Sequence, residues 1–215
     1  MCQIFDGPYF DYLRGAEPLN QAEYFTHGSS AMLFQRDGKL YRLTLDACGH
    51  GFLAYQSSQG NPNVVKIIHD YGPVAPSDDY PTDDYYWLAQ VEWLQDLDPA
   101  DATTQRLNAV LVELTDDEPL VMEPDLPVLI ERCQSMAEQH PEFAALLHTL
   151  VEAARTGSDA DVQISNIMRR PATGELVWSD PLYGTSSYLE PEQQRRMDAL
   201  REQLAPVRYN VATTV

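Results

Sequence analysis

The hydrophobic period of this sequence changes near residue 93, and that change limits the folds the chain can adopt. Before it, short β-branched and aromatic segments alternate with turn residues, which is typical of strands. After it, apolar residues recur three and four positions apart, which predicts helices at 100–114, 127–139 and 141–156. We therefore predict an α+β fold, with an N-terminal sheet lobe containing one helix at 1–93 and a C-terminal helical lobe at 94–215.

The strongest local signal in the sheet lobe is Asp37-Gly38, which separates the apolar and aromatic segments 31–35 and 39–45. Asp-Gly favours the tight turn of a β-hairpin. The other predicted elements of the chain are a short helix at 18–24, a helix at 47–59, strands at 64–72 and 85–94, a hairpin of 163–168 with 175–179, and a last helix at 191–204.

The charge of the chain is strongly unbalanced, with 33 acidic and 14 basic residues and a formal net charge of −19. Proteins that coat phosphates need the opposite balance, so we expect no direct contact with nucleic acid. Fifteen of the acidic residues lie between residues 70 and 125, where Arg106 is the single cation. This stretch predicts either a solvated face or a surface that attracts a basic partner protein.

The sequence also indicates where the protein works. Cys2, Cys48 and Cys133 have no CxxC spacing, so we predict neither a disulfide framework nor a zinc site. No apolar run approaches the roughly 18 residues of a membrane span. Residues 1–15 lack the basic flank and the apolar stretch of a signal peptide. We expect a soluble cytoplasmic protein with no membrane partner.

Three polar residues in the C-terminal lobe have the types and spacing of a phosphoryl-transfer site. Asn166 follows Asp161 by five residues, and Asp180 lies fourteen residues beyond Asn166. Such a site needs one carboxylate to orient the attacking hydroxyl, and an amide oxygen and a second carboxylate to bind Mg²⁺. We assign the first task to Asp161 and the second to Asn166 and Asp180, which the predicted hairpin can bring to one metal ion. Taken alone, this spacing also occurs in ordinary turns and helix caps.

These residues belong to a longer resemblance. From about residue 27 to residue 183, the chain resembles the protein-kinase-like superfamily, and most closely the compact protein kinases of podoviral bacteriophages. Residues 27–31, His-Gly-Ser-Ser-Ala, are similar to the loop that precedes the family's first hairpin. Residues 161–168 resemble its Asp-x-x-x-x-Asn-Ile-Met phrase, and Asp180-Pro181 is similar to its magnesium-binding motif. The resemblance implies a two-lobed kinase-like fold.

The resemblance also implies an activity and the residues that carry it. The activity is transfer of the γ-phosphate of Mg²⁺-bound ATP to Ser or Thr of a host protein, in host takeover or defence evasion. The implied contacts with ATP are the loop Gly28, Ser29 and Ser30, the cation Arg42, and the hinge residues Val91, Glu92 and Trp93. The sequence leaves open whether Arg42 or Lys66 reaches the nucleotide.

The sheet lobe departs from the family pattern. Arg42 replaces the family lysine, the predicted helix 47–59 contains no acidic residue, and no Gly-x-Gly-x-x-Gly occurs. These departures favour an alternative function. In it, the chain is a catalytically inactive kinase-like protein whose acidic surface binds and inhibits a basic host protein, for example one that itself binds nucleic acid. A small-molecule phosphotransferase is a third interpretation with the same polar residues.

Overall fold

The computed structural model describes residues 5–78, 84–184 and 188–211, with side chains up to residue 204. In this part of the chain the fold is α+β, with a five-stranded antiparallel sheet and six α-helices. The residues form two compact units. Unit 1 contains the described residues of Met1–Ala47, Ile68–Val91 and Thr185–Val215, and unit 2 contains Cys48–Ile67 and Glu92–Gly184. The lobe boundary expected near residue 93 stays a prediction.

Unit 1 is built on the five-stranded sheet, whose order is β1-β2-β3-β5-β4. Its strands are β1 (Glu23–His27), β2 (Ala31–Arg36), β3 (Lys39–Thr44), β4 (Ile67–Pro76) and β5 (Tyr85–Val91). The predicted hairpin at Asp37-Gly38 is confirmed as β2–β3. Asp37 and Gly38 have φ values of 52° and 73°, which suit a tight two-residue hairpin turn. Apolar side chains of the sheet, including Phe34, Leu43 and Leu88, form the core of this unit.

Helix α1 (Pro8–Gly15) packs its buried residues Tyr9 and Leu13 into the same core. Its N-terminal N–H groups are satisfied from a distant part of the chain. The carboxylate of Asp78 accepts hydrogen bonds from the backbone N–H groups of Tyr9 and Phe10, at 3.0 and 2.8 Å. Since these groups have no partner within the helix, Asp78 caps α1 and ties it to the segment that follows β4.

The short helix predicted at 18–24 is wrong. Residues 17–21 form a turn, in which Gln21 has a φ of 61°, and β1 begins at Glu23. A residue with positive φ cannot continue a right-handed helix. The sequence did contain the signal of the true helix, because Pro8 stands at its first turn and Tyr9 and Leu13 are four residues apart.

The other predicted helices are confirmed. They are α2 (Ala47–Ser58), α3 (Ala102–Thr115), α4 (Leu126–Gln139), α5 (Ala144–Ala154) and α6 (Pro191–Val211). Asp101 sets the start of α3, because its carboxylate accepts hydrogen bonds from the N–H groups of Thr103 and Thr104 at 2.7 and 3.1 Å. In unit 2, the fully buried Trp178 donates its indole N–H to the carbonyl of Leu146 at 3.0 Å.

Short strands complete unit 2. A three-stranded sheet has the order β10-β7-β6, with β6 (Leu120–Val121), β7 (Asp159–Asp161) and β10 (Leu182–Tyr183). The predicted hairpin is confirmed but is shorter, with β8 (Ile167–Arg169) and β9 (Leu176–Trp178). Residues 164–166 form a 3₁₀ turn instead of strand.

The strand predicted at 64–72 is wrong at its beginning, because β4 starts at Ile67. Val64 and Val65 lie beside β9 instead. The N–H of Val65 donates to the carbonyl of Trp178, and the N–H of Trp178 donates to the carbonyl of Asn63, both at 2.9 Å. β-Branched residues favour extended backbone in either place, so the sequence could not assign the strand partner.

Among the described residues, no helix combines the length and the apolar character needed to cross a membrane. The acidic, tyrosine-rich loop expected after residue 77 falls largely on residues 79–83, which lie outside the described residues.

Replacing Asp78 with Ala should lower the free energy of unfolding by about 1–2 kcal/mol, because two N–H groups at the start of α1 and the hydroxyl of the buried Tyr86 lose their acceptor. Asp78→Asn keeps one acceptor oxygen and should recover part of the loss. Urea unfolding followed by circular dichroism measures the effect. Asp11→Ala, which removes an exposed carboxylate from the same helix, is the control. Equal stabilities of Asp78→Ala and Asp11→Ala would contradict the capping role.

Candidate functional site

Backbone hydrogen bonds in unit 2 bring together the three segments that carry the predicted phosphoryl-transfer residues. The N–H of Asp161 donates to the carbonyl of Pro181 at 3.0 Å. The side-chain amide of Asn166 donates from Nδ2 to the carbonyl of Asp161 at 3.1 Å. The N–H and the hydroxyl of Ser179 donate to the carbonyl of Asn166 at 2.8 and 3.0 Å. We call Asp161, Asn166 and Asp180 the polar cluster.

The local fold explains this arrangement. Ile167 pairs with Trp178 as the first residue pair of the β8–β9 hairpin. Asn166 therefore precedes one strand and Asp180 closely follows the other, so both lie at the open end of the hairpin. That they share a metal ion stays a prediction. The 3₁₀ turn at 164–166 returns the chain from β7 to β8, which lets Asn166 reach the carbonyl of Asp161.

The polar cluster has the groups that a hydrated divalent cation binds. All three residues are partly exposed. The Asp161 carboxylate accepts a hydrogen bond from Nε2 of Gln163 at 2.7 Å. Because Asn166 uses Nδ2 to bond Asp161, its Oδ1 keeps acceptor capacity for a cation. Two carboxylates and one amide oxygen suit Mg²⁺, which keeps several waters of its own. The polar cluster has only two carboxylates. Within the described ranges, no group of three or more His, Cys, Asp or Glu residues is placed to hold a metal ion.

The predicted phosphate-binding loop, Gly28, Ser29 and Ser30, connects β1 to β2 in unit 1. The N–H of Gly28 donates to the carbonyl of Ala31 at 2.9 Å. The carbonyl of Ser30 accepts from the N–H of Leu45 and the hydroxyl of Thr44, at 3.0 and 2.9 Å. Gly28 does not have a positive φ, and a Cβ on it would meet no atom within 4 Å. The fold therefore does not require glycine at this position.

The two candidate cations have different surroundings. Arg42 lies on the central strand β3, where its side chain is buried, and Leu33 and Ala89 flank it on the neighbouring strands. Burial of a guanidinium costs free energy unless polar groups bind it. We therefore infer that Arg42 also has a structural role within the sheet. Lys66 is exposed. Of these two cations, Lys66 is the one whose charge is accessible from solvent.

The predicted hinge residues differ in their environment. Val91 ends β5, is buried, and pairs with Leu40 of β3. Trp93 has 37% of its side-chain surface exposed. Glu92 begins the second segment of unit 2, and its backbone N–H donates to the carbonyl of Lys66 in the first segment at 3.0 Å. Its carboxylate is occupied by contacts within unit 2, so its role there is structural.

Sequence reasoning missed the residue that holds Glu92. Arg170 donates from Nη2 and Nε to the two carboxylate oxygens of Glu92, at 2.7 and 2.9 Å. It also donates to the carbonyls of Pro62 and Val64 at 2.8 and 3.2 Å, and to the carboxylate of Glu175 at 2.5 Å. We call these residues the Arg170 network. A single Arg in a sequence does not show that distant segments converge on it.

The Arg170 network shifts the pKa values of its members. Burial raises the pKa of Glu92, but hydrogen bonds from Arg170 and from the N–H of Lys66 outweigh burial, so the pKa lies below its ordinary value. The pKa of Arg170 is raised, chiefly by its hydrogen bonds to Glu92. The side chains of both residues are only about one-sixth exposed, at 15% and 16%, so water screens the pair weakly.

No protein-family model matches the chain, and no curated protein sequence matches it either. Hydrogen bonds within unit 2 join the segments that carry the polar cluster. The other predicted site residues divide between the units, with Gly28, Ser29, Ser30, Arg42 and Val91 in unit 1 and Glu92 and Trp93 in unit 2. Their assignment to a nucleotide stays a prediction.

Replacing Arg170 with Ala should destabilise the protein by about 3 kcal/mol, because it leaves the largely buried carboxylate of Glu92 without its cation. Arg170→Lys keeps the charge but not the planar fork, so an intermediate loss is expected. Arg169→Ala is the matched control, since among the described residues the side chain of Arg169 forms a single ion pair, with Asp101 at 4.0 Å. Chemical unfolding measures all three variants. Equal losses for Arg169→Ala and Arg170→Ala would contradict the network's role.

The lowered pKa of Glu92 predicts a pH dependence. A carboxylate whose pKa is lower in the folded state stabilises the fold above its unfolded pKa and loses that contribution as pH falls through the folded pKa. The difference in unfolding free energy between wild type and Glu92→Gln should therefore be constant near neutral pH and shrink below pH 4.5, the ordinary pKa of a glutamate. A difference that grows as the solution is acidified would contradict the assignment.

Proposed function

We propose that this chain is a protein-kinase-like phosphotransferase that uses Mg²⁺-bound ATP to phosphorylate Ser or Thr of other proteins. The observation that carries the proposal is the set of hydrogen bonds that joins the segments on which Asp161, Asn166 and Asp180 lie. An Asp, an Asn and a second Asp that are far apart in sequence lie on three adjoining segments at the open end of one hairpin. Their chemistry is that of a site where a hydroxyl attacks a metal-bound phosphate. The α+β fold, with a helix between the third and fourth strands of an antiparallel sheet, is compatible with a two-lobed kinase-like fold.

Each residue of the polar cluster has a distinct task in this proposal. Asp161 accepts a hydrogen bond from the substrate hydroxyl and orients its oxygen toward the phosphate. Asn166, through Oδ1, and Asp180, through its carboxylate, hold Mg²⁺, which neutralises charge on the phosphates when ATP is bound. The bond from Nδ2 of Asn166 to the carbonyl of Asp161 fixes the amide so that Oδ1 is available to the metal.

The remaining assignments concern ATP. We propose that the loop of Gly28, Ser29 and Ser30, with the N–H groups of the two serines as donors, and the side chain of Arg42 or Lys66 bind phosphate. Val91, the backbone of Glu92 and Trp93 contact the base. The absence of any fold requirement for glycine at position 28 supports a functional reason for that residue, because backbone approach to a phosphate needs a small side chain. The substrate is a host protein with a basic surface, in keeping with the net charge of −19.

Transfer of labelled γ-phosphate from ATP, to the protein itself and to an array of Ser- and Thr-containing peptides, tests the proposal. Wild type should transfer phosphate in the presence of Mg²⁺, and Asp180→Ala should reduce the rate at least about a hundredfold, since the metal loses its carboxylate. Asp96→Ala, which removes an exposed carboxylate of the same unit, should leave the rate unchanged. Circular dichroism checks that the variants are folded. Undiminished transfer by a folded Asp180→Ala variant would reject the assignment.

The burial of Arg42 and the composition of α2 favour a second function. Arg42 is buried within the sheet, and α2 carries no acidic residue that would pair with a phosphate-binding cation. On these grounds the alternative is a catalytically inactive protein whose acidic surface binds and inhibits a basic host protein. Asp78 belongs to the cap of α1, so that surface must be sought among other carboxylates.

A further inference from the structure

A groove in unit 2 combines apolar side chains with an acidic rim. It has a volume of about 290 Å³ and lies between the end of α3, strand β6 and the start of α4. We call it the α3–α4 groove. Its apolar lining includes Leu114, Leu120, Val121, Met122, Val128 and Leu129. Leu120, Met122 and Val128 expose 46%, 51% and 50% of their surface, although a folded chain usually buries side chains of this kind.

The rim of the groove is negatively charged. Residues 113–125 contain six acidic residues and no basic residue. Arg132, which lines the groove, is already engaged: it donates to the carboxylate of Asp116 at 2.6 Å and to the carbonyl of Leu114 at 3.1 Å. Glu118 and Asp125, which also line the groove, therefore add negative charge that this cation does not neutralise.

From this combination we infer that the α3–α4 groove binds a short linear segment of another protein, in which Arg or Lys residues stand beside spaced aliphatic residues. The aliphatic side chains bury the exposed Leu120, Met122 and Val128, and the cations meet Glu118 and Asp125. A second copy of this chain fits poorly, because two acidic rims would repel each other. The inference goes beyond phosphoryl transfer, since the groove serves a kinase and an inactive binding protein alike.

A display library of random twelve-residue peptides, selected on the full-length protein, tests the groove. Enriched sequences should place Arg or Lys beside aliphatic residues. A synthetic, fluorescein-labelled copy of the enriched sequence should bind wild type and bind Met122→Gln/Val128→Gln at least about tenfold more weakly, measured by fluorescence anisotropy. Glu118→Gln/Asp125→Asn should weaken binding at low salt and reduce its salt dependence.

Two controls make the result specific. Val112→Gln replaces a valine that is 40% exposed on α3 but does not line the groove, and it should bind like wild type. Asp180→Ala should also bind normally, so a failure of phosphate transfer is distinguishable from a failure of the groove. Peptides without cations, or binding that the groove variants leave unchanged, would overturn the inference. So would a failure to enrich any peptide, or a dimer in sedimentation that Met122→Gln/Val128→Gln dissociates.

Discussion

The planar guanidinium of Arg170 is the contact on which the arrangement of unit 2 depends. It binds both oxygens of Glu92 where the chain leaves β5, the carbonyls of Pro62 and Val64 in the segment after α2, and Glu175 on the far side of its own turn. Only Arg has enough donors, in a fixed plane, to join three segments in this way. Both charges are largely removed from water, so the pair stabilises the fold only when both partners are present, because either partner alone would be an uncompensated, largely buried charge.

The same hairpin connects the Arg170 network to the polar cluster. Arg170 stands near its turn, whereas Asn166 and Asp180 lie at its open end. Both edges of the hairpin are bonded to other segments, β9 to residues 63–65 and β8 to Gln95. A three-residue strand pair would be marginal by itself. These edge contacts give the polar cluster a fixed base, and the metal-binding and hydroxyl-orienting roles that we propose for it need such a base.

The sequence could predict the features that depend on residues close together in the chain, but not those that depend on residues far apart in it. Asp37-Gly38 fixes its turn locally, and helical spacing marks α3 to α5, so these elements were predictable. The turn between the two predicted strands implied a hairpin, and a hairpin allows Asn166 and Asp180 to lie at its same end. The cap of α1 and the partner of Glu92 come from residues 69 and 78 positions away, and no local pattern encodes them. Val64 and Val65 were assigned to the wrong strand because β propensity predicts extended backbone but not the strand with which it pairs.

The proposed binding of Mg²⁺ and ATP by the polar cluster can be measured by a thermal-shift titration. A ligand that binds only the folded state stabilises it by about 2.7 kcal/mol at one hundred times its dissociation constant. ATP should raise the midpoint temperature of unfolding of the wild-type protein only when Mg²⁺ is present. The Asp180→Ala variant should lose this rise. Absence of a shift at millimolar ATP with Mg²⁺, or an equal shift in Asp180→Ala, would contradict the proposed binding.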